Sequence, residues 1–489
     1  MFSLIDGDDY QRCRQFKENS VYIGGTKLKN HLITKVKQMY YSLKRGDIIM
    51  KLKTKIIYSL LFISVVIFLS NHAFSQDKRI ETDDLLTAEK RSAIIDKIME
   101  VFDEYYPLPD VAADMTKFIN QKRKEGEYDK FTDLVKFTSQ LTIDLRSRSN
   151  DLHIKVTPYE KLPDDLLDET RLGSPDENYG FRKVEIMLGN IGYIELNSFN
   201  NPKSAGPTAI AAMNFVAHCD ALIIDLRANG GGDTDMDQFL SSYFFDKSRH
   251  LSDSYTRKDD RTEQIWTQTW VPGPRISDVP IYILLSRNTY SAAEGFSYQL
   301  QQLGRAVLIG EKTKGGAHGV QYQSYPELSI NLKVPYTRDI NPYSKSNYID
   351  GVIPDIEVPA EKAFITANME TCKKLLVTET NNEKRYRLEW VLSGYEADLD
   401  PIVLNDEALS EYVGIYGNVE FILECGKLYE QWENKTKQEL IPMGNDQFKY
   451  REKKEEKFRI QFSRDEKGKV TEFFWHDSDG DKHPVKVRK

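Results

Sequence analysis

Three short runs constrain this chain more than any other feature. They are Ala221-Leu222-Ile223-Ile224, Ile281-Tyr282-Ile283-Leu284-Leu285 and Ala306-Val307-Leu308-Ile309. Each is too short for a helix and apolar at every position, as a strand covered on both faces must be. Helical patterns separate them: Thr208–Ala217 comes before the first, Met236–Phe245 lies between the first and second, and Ala292–Leu303 lies between the second and third. Upstream, Val184–Leu188 and Ile191–Leu196 flank Gly189-Asn190, a hairpin turn signal. Alternating strand and helix predicts an α/β layer fold.

The flanking regions read differently. Ile94, Ile95, Ile98, Met99 and Phe102 recur at helical spacing, and Tyr106-Pro107-Leu108-Pro109 stops that helix. Met115, Phe118 and Ile119 mark a second helix, and Leu134, Phe137, Leu141 and Leu145 a third. The stretch from Pro158 to Glu177 is polar and Pro-containing and reads as a linker. After about Leu404 the pattern becomes short alternating strands with turns at Gly426, Gly444-Asn445, Lys467-Gly468 and Asp479-Gly480. The expected organisation is an N-terminal helical domain over 76–165, an α/β core over 166–365, a helical connector over 366–400 and an antiparallel β domain over 401–489.

The first 75 residues stand apart. Met50 to Lys55 is basic, Ile56 to Leu69 is an apolar run, and small residues precede Gln76. This is the pattern of a secretory signal peptide over 50–75, and the run is shorter than the roughly 20 apolar residues of a membrane span. The sequence therefore predicts translation from Met50, with 1–49 an upstream artefact, and export to the periplasm or the extracellular space. Loss of residues 1–75 removes 12 basic and 5 acidic residues, which leaves 55 basic and 70 acidic and a net charge of -15. So acidic a chain lacks the basic face that nonspecific nucleic-acid binding needs. Of four cysteines three lie beyond the leader, Cys219, Cys372 and Cys425, too dispersed for a zinc ribbon or a disulfide scaffold.

Three segments carry candidate chemistry. Asp225-Leu226-Arg227-Ala228-Asn229-Gly230-Gly231-Gly232-Asp233 ends a buried strand in bare backbone N–H groups. No Gly-Lys-Ser/Thr follows, which excludes a phosphate-binding P-loop. Thr289-Tyr290-Ser291-Ala292-Ala293-Glu294 places Ser291 at a helix start, where it is a capping-box serine paired with Glu294 or a nucleophile helped by the helix dipole. Ser149-Asn150-Asp151-Leu152-His153 supplies one histidine, and His318 is a second within reach of the core segments. Locally, the capping reading of Ser291 is favoured over the nucleophilic one. Asp225 and Arg227 read as a pair that holds the strand end. Asp477 to Asp481 reads as a hairpin turn, since its glycine is out of register for an EF-hand.

Taken together and in order, these segments resemble the tail-specific (C-terminal-processing) serine peptidase family. The match is to its branch without a PDZ domain, which includes the tricorn protease core and interphotoreceptor retinoid-binding protein. The resemblance runs from about Ile94 to Val358. It also takes in Gly189-Asn190-Ile191-Gly192-Tyr193, Gly310-Glu311-Lys312-Thr313-Lys314-Gly315-Gly316-Ala317-His318 and Gly351-Val352-Ile353-Pro354-Asp355. It implies a crotonase/ClpP-like layered β/α core. It implies Ser291 as nucleophile, His153 as base, and an oxyanion hole from the N–H of Ala292 with that of Gly231 or Gly232. Asp151 or Ser149 would orient His153. No metal or organic cofactor is implied, and the substrates would be peptides or flexible chain ends.

Two departures matter. The branch that uses a lysine base carries it where this chain has Gly316, so the serine–lysine dyad is not expected. Tricorn-like members carry a glutamate just before the Gly-Val-x-Pro-Asp segment; here Tyr348 or Ile349 occupies that place. Either Asp350 substitutes or that member is missing. The alternative is a non-catalytic, peptidase-like protein that binds an apolar ligand or a cell-envelope partner.

Overall fold

A computed structural model describes residues 22–23, 26–27, 86–161, 174–433, 435–451, 457–483 and 486–489. The chain divides into two units, Met1–Leu85 and Leu86–Lys489. In the first, Tyr22–Ile23 pairs antiparallel with Thr26–Lys27. The leader assigned to 50–75 lies outside the described residues. No described helix is long and apolar enough to cross a membrane.

The second unit opens with three helices, α1 (Ala88–Tyr105), α2 (Pro109–Lys124) and α3 (Leu134–Ser149). Thr87 caps α1 by accepting the Lys90 N–H, and Asp133 caps α3 by accepting that of Lys136. α3 ends where Asn150 turns left-handed at φ 52°, which reverses the chain into β1 (Lys155–Pro158). Ile94, Ile98, Phe102, Met115 and Phe137 share a core with Ile154 and Val156 around β1 and with Ile330, Leu332 and Val334 further along the chain. β1 ends at Pro158, where the expected linker begins.

Next come β2 (Phe181–Met187), β3 (Ile191–Leu196), α4 (Pro202–Phe215), β4 (Ala221–Asp225) and α5 (Thr234–Ser241). They are followed by β5 (His250–Thr256), β6 (Arg261–Trp266), β7 (Ile281–Leu285), α6 (Ala292–Gln302) and β8 (Ala306–Gly310). β9 (His318–Tyr325), β10 (Ile330–Ile340), β11 (Ile356–Glu357), α7 (Ala360–Leu376) and α8 (Asn382–Leu399) complete the middle of the chain. The order β11-β8-β7-β4-β3-β2 forms one sheet, parallel except for the β2–β3 hairpin.

The three apolar runs lie at the centre of this sheet. Leu222, Ile224, Ile281, Ile283 and Leu308 face α4, α5 and α6. Ile223, Tyr282, Leu284 and Ile309 face Ala363, Ala367 and Cys372 of α7 and Leu388 and Val391 of α8. Alternate residues thus bury opposite faces, which is why the runs are apolar throughout; only Val307 of β8 is exposed among them. α7 and α8, read from sequence as a connector, form one whole layer of this packing. A second sheet of order β9-β10-β5-β6, with β1 also paired to β10, stands beside α1 to α3.

α9 (Asp406–Ser410) leads into an eight-stranded antiparallel meander. Its strands are β12 (Gly414–Tyr416), β13 (Val419–Glu424), β14 (Lys427–Trp432) and β15 (Gln438–Gly444). β16 (Gln447–Tyr450), β17 (Phe458–Arg464), β18 (Val470–Asp477) and β19 (Lys486–Val487) follow. A bridge from Tyr416 to Arg488 nearly closes the sheet on itself. Tyr416, Phe421, Phe462 and Phe473 fill its centre with edge-on and tilted ring contacts. Buried cations join it to α8: Arg459 lies 3.9 Å over the Trp390 ring, and Lys449 reaches the Gly394 carbonyl at 2.8 Å and Asp398 at 2.7 Å.

Candidate functional site

Ser291 sits between β7 and α6, as the N-cap residue of the helix, with φ 55° and ψ -123°. Few residues other than glycine adopt a positive φ, and such strain persists only where neighbours impose it. Here they do. Thr289 Oγ donates to the Leu226 carbonyl, the Tyr290 N–H to the Asn229 carbonyl, and Ser286 Oγ to the Arg227 carbonyl. Arg227 in turn holds both oxygens of Asp225. These bonds fasten the Ser291 loop to the glycine-rich loop after β4.

Glu294 fixes the other side. It is buried and accepts the Ser291 N–H at 2.8 Å, the Gly315 N–H at 2.7 Å and the Thr313 hydroxyl at 2.5 Å. The capping role expected of Glu294 is thus made by its carboxylate, and Ser291 is both a cap residue and open to a partner at Oγ. Burial pushes the Glu294 carboxyl up to about 7 even though three donors oppose the shift.

That partner is His153. Its Nε2 lies 3.1 Å from Ser291 Oγ, and its Nδ1 lies 3.1 Å from Asp151 Oδ1. Asp151 accepts the His153 backbone N–H at 2.9 Å as well, an Asx-type turn that follows from the Asp-x-His spacing. Asp151 is buried, which works against its charge. Hydrogen bonds from His153 and His318 outweigh burial and hold its carboxyl well below the usual range. The carboxylate accepts the Nδ1 proton, so Nε2 is free to accept from the serine hydroxyl. Burial also lowers the His153 pKa despite the opposing pull of Asp151, which keeps the ring neutral and basic near pH 7.

The Tyr290 ring stacks on His153, with centroids 4.7 Å apart. A β-carbon on Gly316 would meet Tyr290 Cε2 at 2.4 Å and His153 Cε1 at 2.9 Å. The position where a lysine base stands in the other branch is therefore filled here by the histidine and its stacking partner.

The glycine-rich loop meets the serine directly. A β-carbon on Gly231 would lie 2.7 Å from Ser291 Cβ and 3.0 Å from the Ala292 nitrogen. Its N–H, however, donates to Asn229 Oδ1 at 2.8 Å. Among the described residues the N–H groups of Gly232 and Ala292 have no hydrogen-bond acceptor. Of the three expected oxyanion donors, Gly231 thus supplies close approach while Gly232 and Ala292 keep their protons available.

Two expected site residues stand elsewhere. Ser149 Oγ donates to the Leu145 carbonyl and accepts the Asp151 N–H at 3.2 Å. It holds the turn that carries Asp151, and its hydroxyl is not hydrogen-bonded to the His153 ring. Asp350 is exposed on a turn closed by the Gly351 N–H on the Tyr348 carbonyl. The turn aims Asp350 outward, and Tyr348 points inward to donate to Asp339 at 3.1 Å. Neither Asp350 nor Tyr348 has a hydrogen bond to His153 or Ser291. Tyr290, Asn229 and the partnership of His318 with Asp151 (Nδ1 to Oδ2, 2.7 Å) were not legible as site features. Only the spacing of Asp151 from His153 signalled part of this array. Among the described residues no group of three or more histidine, cysteine, aspartate or glutamate side chains forms a metal site.

A serine, a histidine and a buried carboxylate in line, beside backbone N–H donors, have the geometry acyl-transfer chemistry requires. The array stands where β7 ends, at the edge of a largely parallel six-stranded sheet with helices packed on it. Residues 190–358 match Peptidase family S41, and residues 81–177 match the N-terminal domain of Peptidase_S41 in eukaryotic IRBP. In its core and in its helical region the chain is thus similar to peptidase family S41.

The chain is 26% identical over 263 residues to a protein of Staphylococcus aureus described as "Probable CtpA-like serine protease", covering 53% of this chain and 51% of that one. It is 28% identical over 179 residues to the "Carboxyl-terminal-processing protease" of a Picosynechococcus strain, covering 35% of this chain and 40% of that one. The chain thus spans about half or less of the length of these curated relatives. Partial structural similarity extends to tricorn protease, with TM-score 0.35, 14% identity, and 63% of this chain and 37% of that one covered. It also extends to the photosystem II D1 C-terminal processing protease, with TM-score 0.30, 22% identity, and 35% and 43% covered.

Proposed function

We propose that this protein is an exported serine peptidase that hydrolyses peptides or flexible chain ends. One observation carries the reading: Ser291 Oγ and His153 Nε2 lie 3.1 Å apart, although 138 residues separate them in sequence. Ser291 attacks the scissile carbonyl as Nε2 takes its proton. Asp151 holds the ring in the tautomer that leaves Nε2 basic and stabilises the imidazolium that forms. The N–H groups of Gly232 and Ala292 receive the developing oxyanion, and the Ala292 N–H lies at the favourable end of the α6 dipole. The imidazolium then protonates the leaving amine. Water attacks the acyl-enzyme with His153 again as base, and Ser291 regains its proton.

The crotonase/ClpP-like layering belongs to the same reading, supported by the largely parallel six-stranded sheet with helices on both faces. Export rests on the leader pattern of residues 50–75.

Incubating the purified protein and its Ser291→Ala variant with a defined peptide library tests the reading. Cleavage by the wild type that disappears in the variant supports it. Cleavage equal in both overturns it. No cleavage by either, together with uptake of an apolar probe, favours the binding protein.

A further inference from the structure

We propose that His318 is a positioning residue for the nucleophile–base pair, acting through a carboxylate that it shares with His153. The inference rests on the peptidase reading and deepens it. Asp151 has one histidine on each oxygen: His153 Nδ1 at 3.1 Å from Oδ1 and His318 Nδ1 at 2.7 Å from Oδ2. The second contact is the shorter one, and it comes from the start of β9, 167 residues along the chain.

The side chains of His318 and Asp151 have no exposed surface, and that of His153 has 2%. His318 Nε2 is buried without a hydrogen-bond partner. A proton there would be a buried donor with nothing to receive it, which is costly. Nδ1 is therefore the nitrogen through which His318 donates, to Asp151. The edge of its ring contact with Tyr106, centroids 5.7 Å apart, fixes its plane. Tyr106 also donates its hydroxyl to Asp151 Oδ2 at 3.3 Å.

A donor on Oδ2 does two things. It stops the carboxylate from rotating away from His153. It also withdraws charge from Oδ1, which moderates how strongly Asp151 raises the basicity of His153. The ionisable groups that act on the two rings are Asp151, Lys333 of β10 and His318 at His153, and Asp151 and Asp339 near the end of β10 at His318, while Tyr290 and Tyr106 pack against the two rings. Of these only Asp151 bonds to both rings.

The test compares the full chain with His318→Asn, whose amide N–H stands where Nδ1 stood, and His318→Leu, which has no donor. Two quantities are read: the pKa of His153 from NMR titration of ring-labelled histidine, and the rate at which a fluorophosphonate labels Ser291. The leucine variant should raise the His153 pKa by about half a unit or more and slow labelling about 10- to 100-fold. The asparagine variant should recover most of both. A His153 pKa that is the same in all three proteins, or shifted equally in both variants, overturns the proposal, because a purely structural role would not distinguish the two. If the leucine variant does not fold, His318→Gln replaces it, since its amide falls at the Nε2 position and misses Asp151. The titration needs no turnover. Peptide cleavage indifferent to Ser291→Ala would sink the peptidase reading and leave the titration result standing, and the reverse holds equally.

Discussion

A β-carbon on Gly316 would lie 2.9 Å from His153 Cε1, so the glycine and the histidine occupy complementary halves of one space. At the position where the resemblance to the lysine-dependent branch would put a base, this chain has Gly316, and the His153 imidazole from the segment after the N-terminal helices lies against it. Gly316→Ala is expected to push Tyr290 and His153 out of line and to lower kcat/KM about 100-fold, as small displacements of a reacting group do. The measurement is steady-state hydrolysis beside a circular dichroism spectrum that shows the fold intact. Unchanged hydrolysis would mean that the ring has room the structure does not show.

Asp151 and Asp350 should behave in opposite ways. Asp151→Asn removes the acceptor that selects the His153 tautomer and is expected to cost about 10³–10⁴-fold in kcat. Asp350→Ala, on an exposed turn, should stay within about twofold. Equal and large losses in the two variants would return Asp350 to the site.

The pH dependence follows from His153. Burial lowers its pKa below the ordinary value of 6.5, and only the neutral ring accepts the serine proton. kcat/KM should therefore be flat through pH 7 and fall on the acid side with a midpoint below 6.5. An acid limb centred above 7 would contradict this assignment of the base.

Glu294 predicts a trend in stability. Its carboxyl is raised to about 7 in the folded chain from about 4.5 unfolded. The folded state therefore binds more protons between those values, and stability falls as pH rises from 4.5 through 7. Glu294→Gln should abolish that part of the slope, so that wild type loses about 2–3 kcal/mol more than the variant between pH 5 and pH 8. Urea unfolding at the two pH values gives the comparison; parallel changes in both proteins would refute it.

The sequence showed the central sheet clearly because burial on both faces leaves an apolar run with no interruption, as at Ile281–Leu285. It did not show β5, β6, β9 and β10. Arg261-Thr262-Glu263-Gln264 in β6 is exposed throughout, so no hydrophobic alternation marks it as strand. The helix expected from Thr208 begins at Pro202, because Asn201 caps it by accepting the Lys203 N–H, and the chain tolerates Pro207 inside it. Pattern reading treats such prolines as stops.

At the site, Ser291 and His153, with Asp151 or Ser149 to orient the ring, were legible through the resemblance of the ordered motifs, whereas the local sequence favoured a cap at Ser291. The displacement of Asp350 was not legible, because Gly351 at φ 92° closes a turn whose direction only the fold decides. Nor was the capture of the Gly231 N–H by Asn229, or the sharing of Asp151 by two histidines, since both are matters of side-chain direction rather than of sequence spacing.

Covalent labelling with a fluorophosphonate, located by mass spectrometry of the digested protein, tests the central claim most directly. The account predicts one adduct, on Ser291, formed at pH 7.5, absent in Ser291→Ala and strongly slowed in His153→Ala. An adduct on another residue, or a folded wild-type protein that takes no label between pH 5 and pH 9, would contradict it.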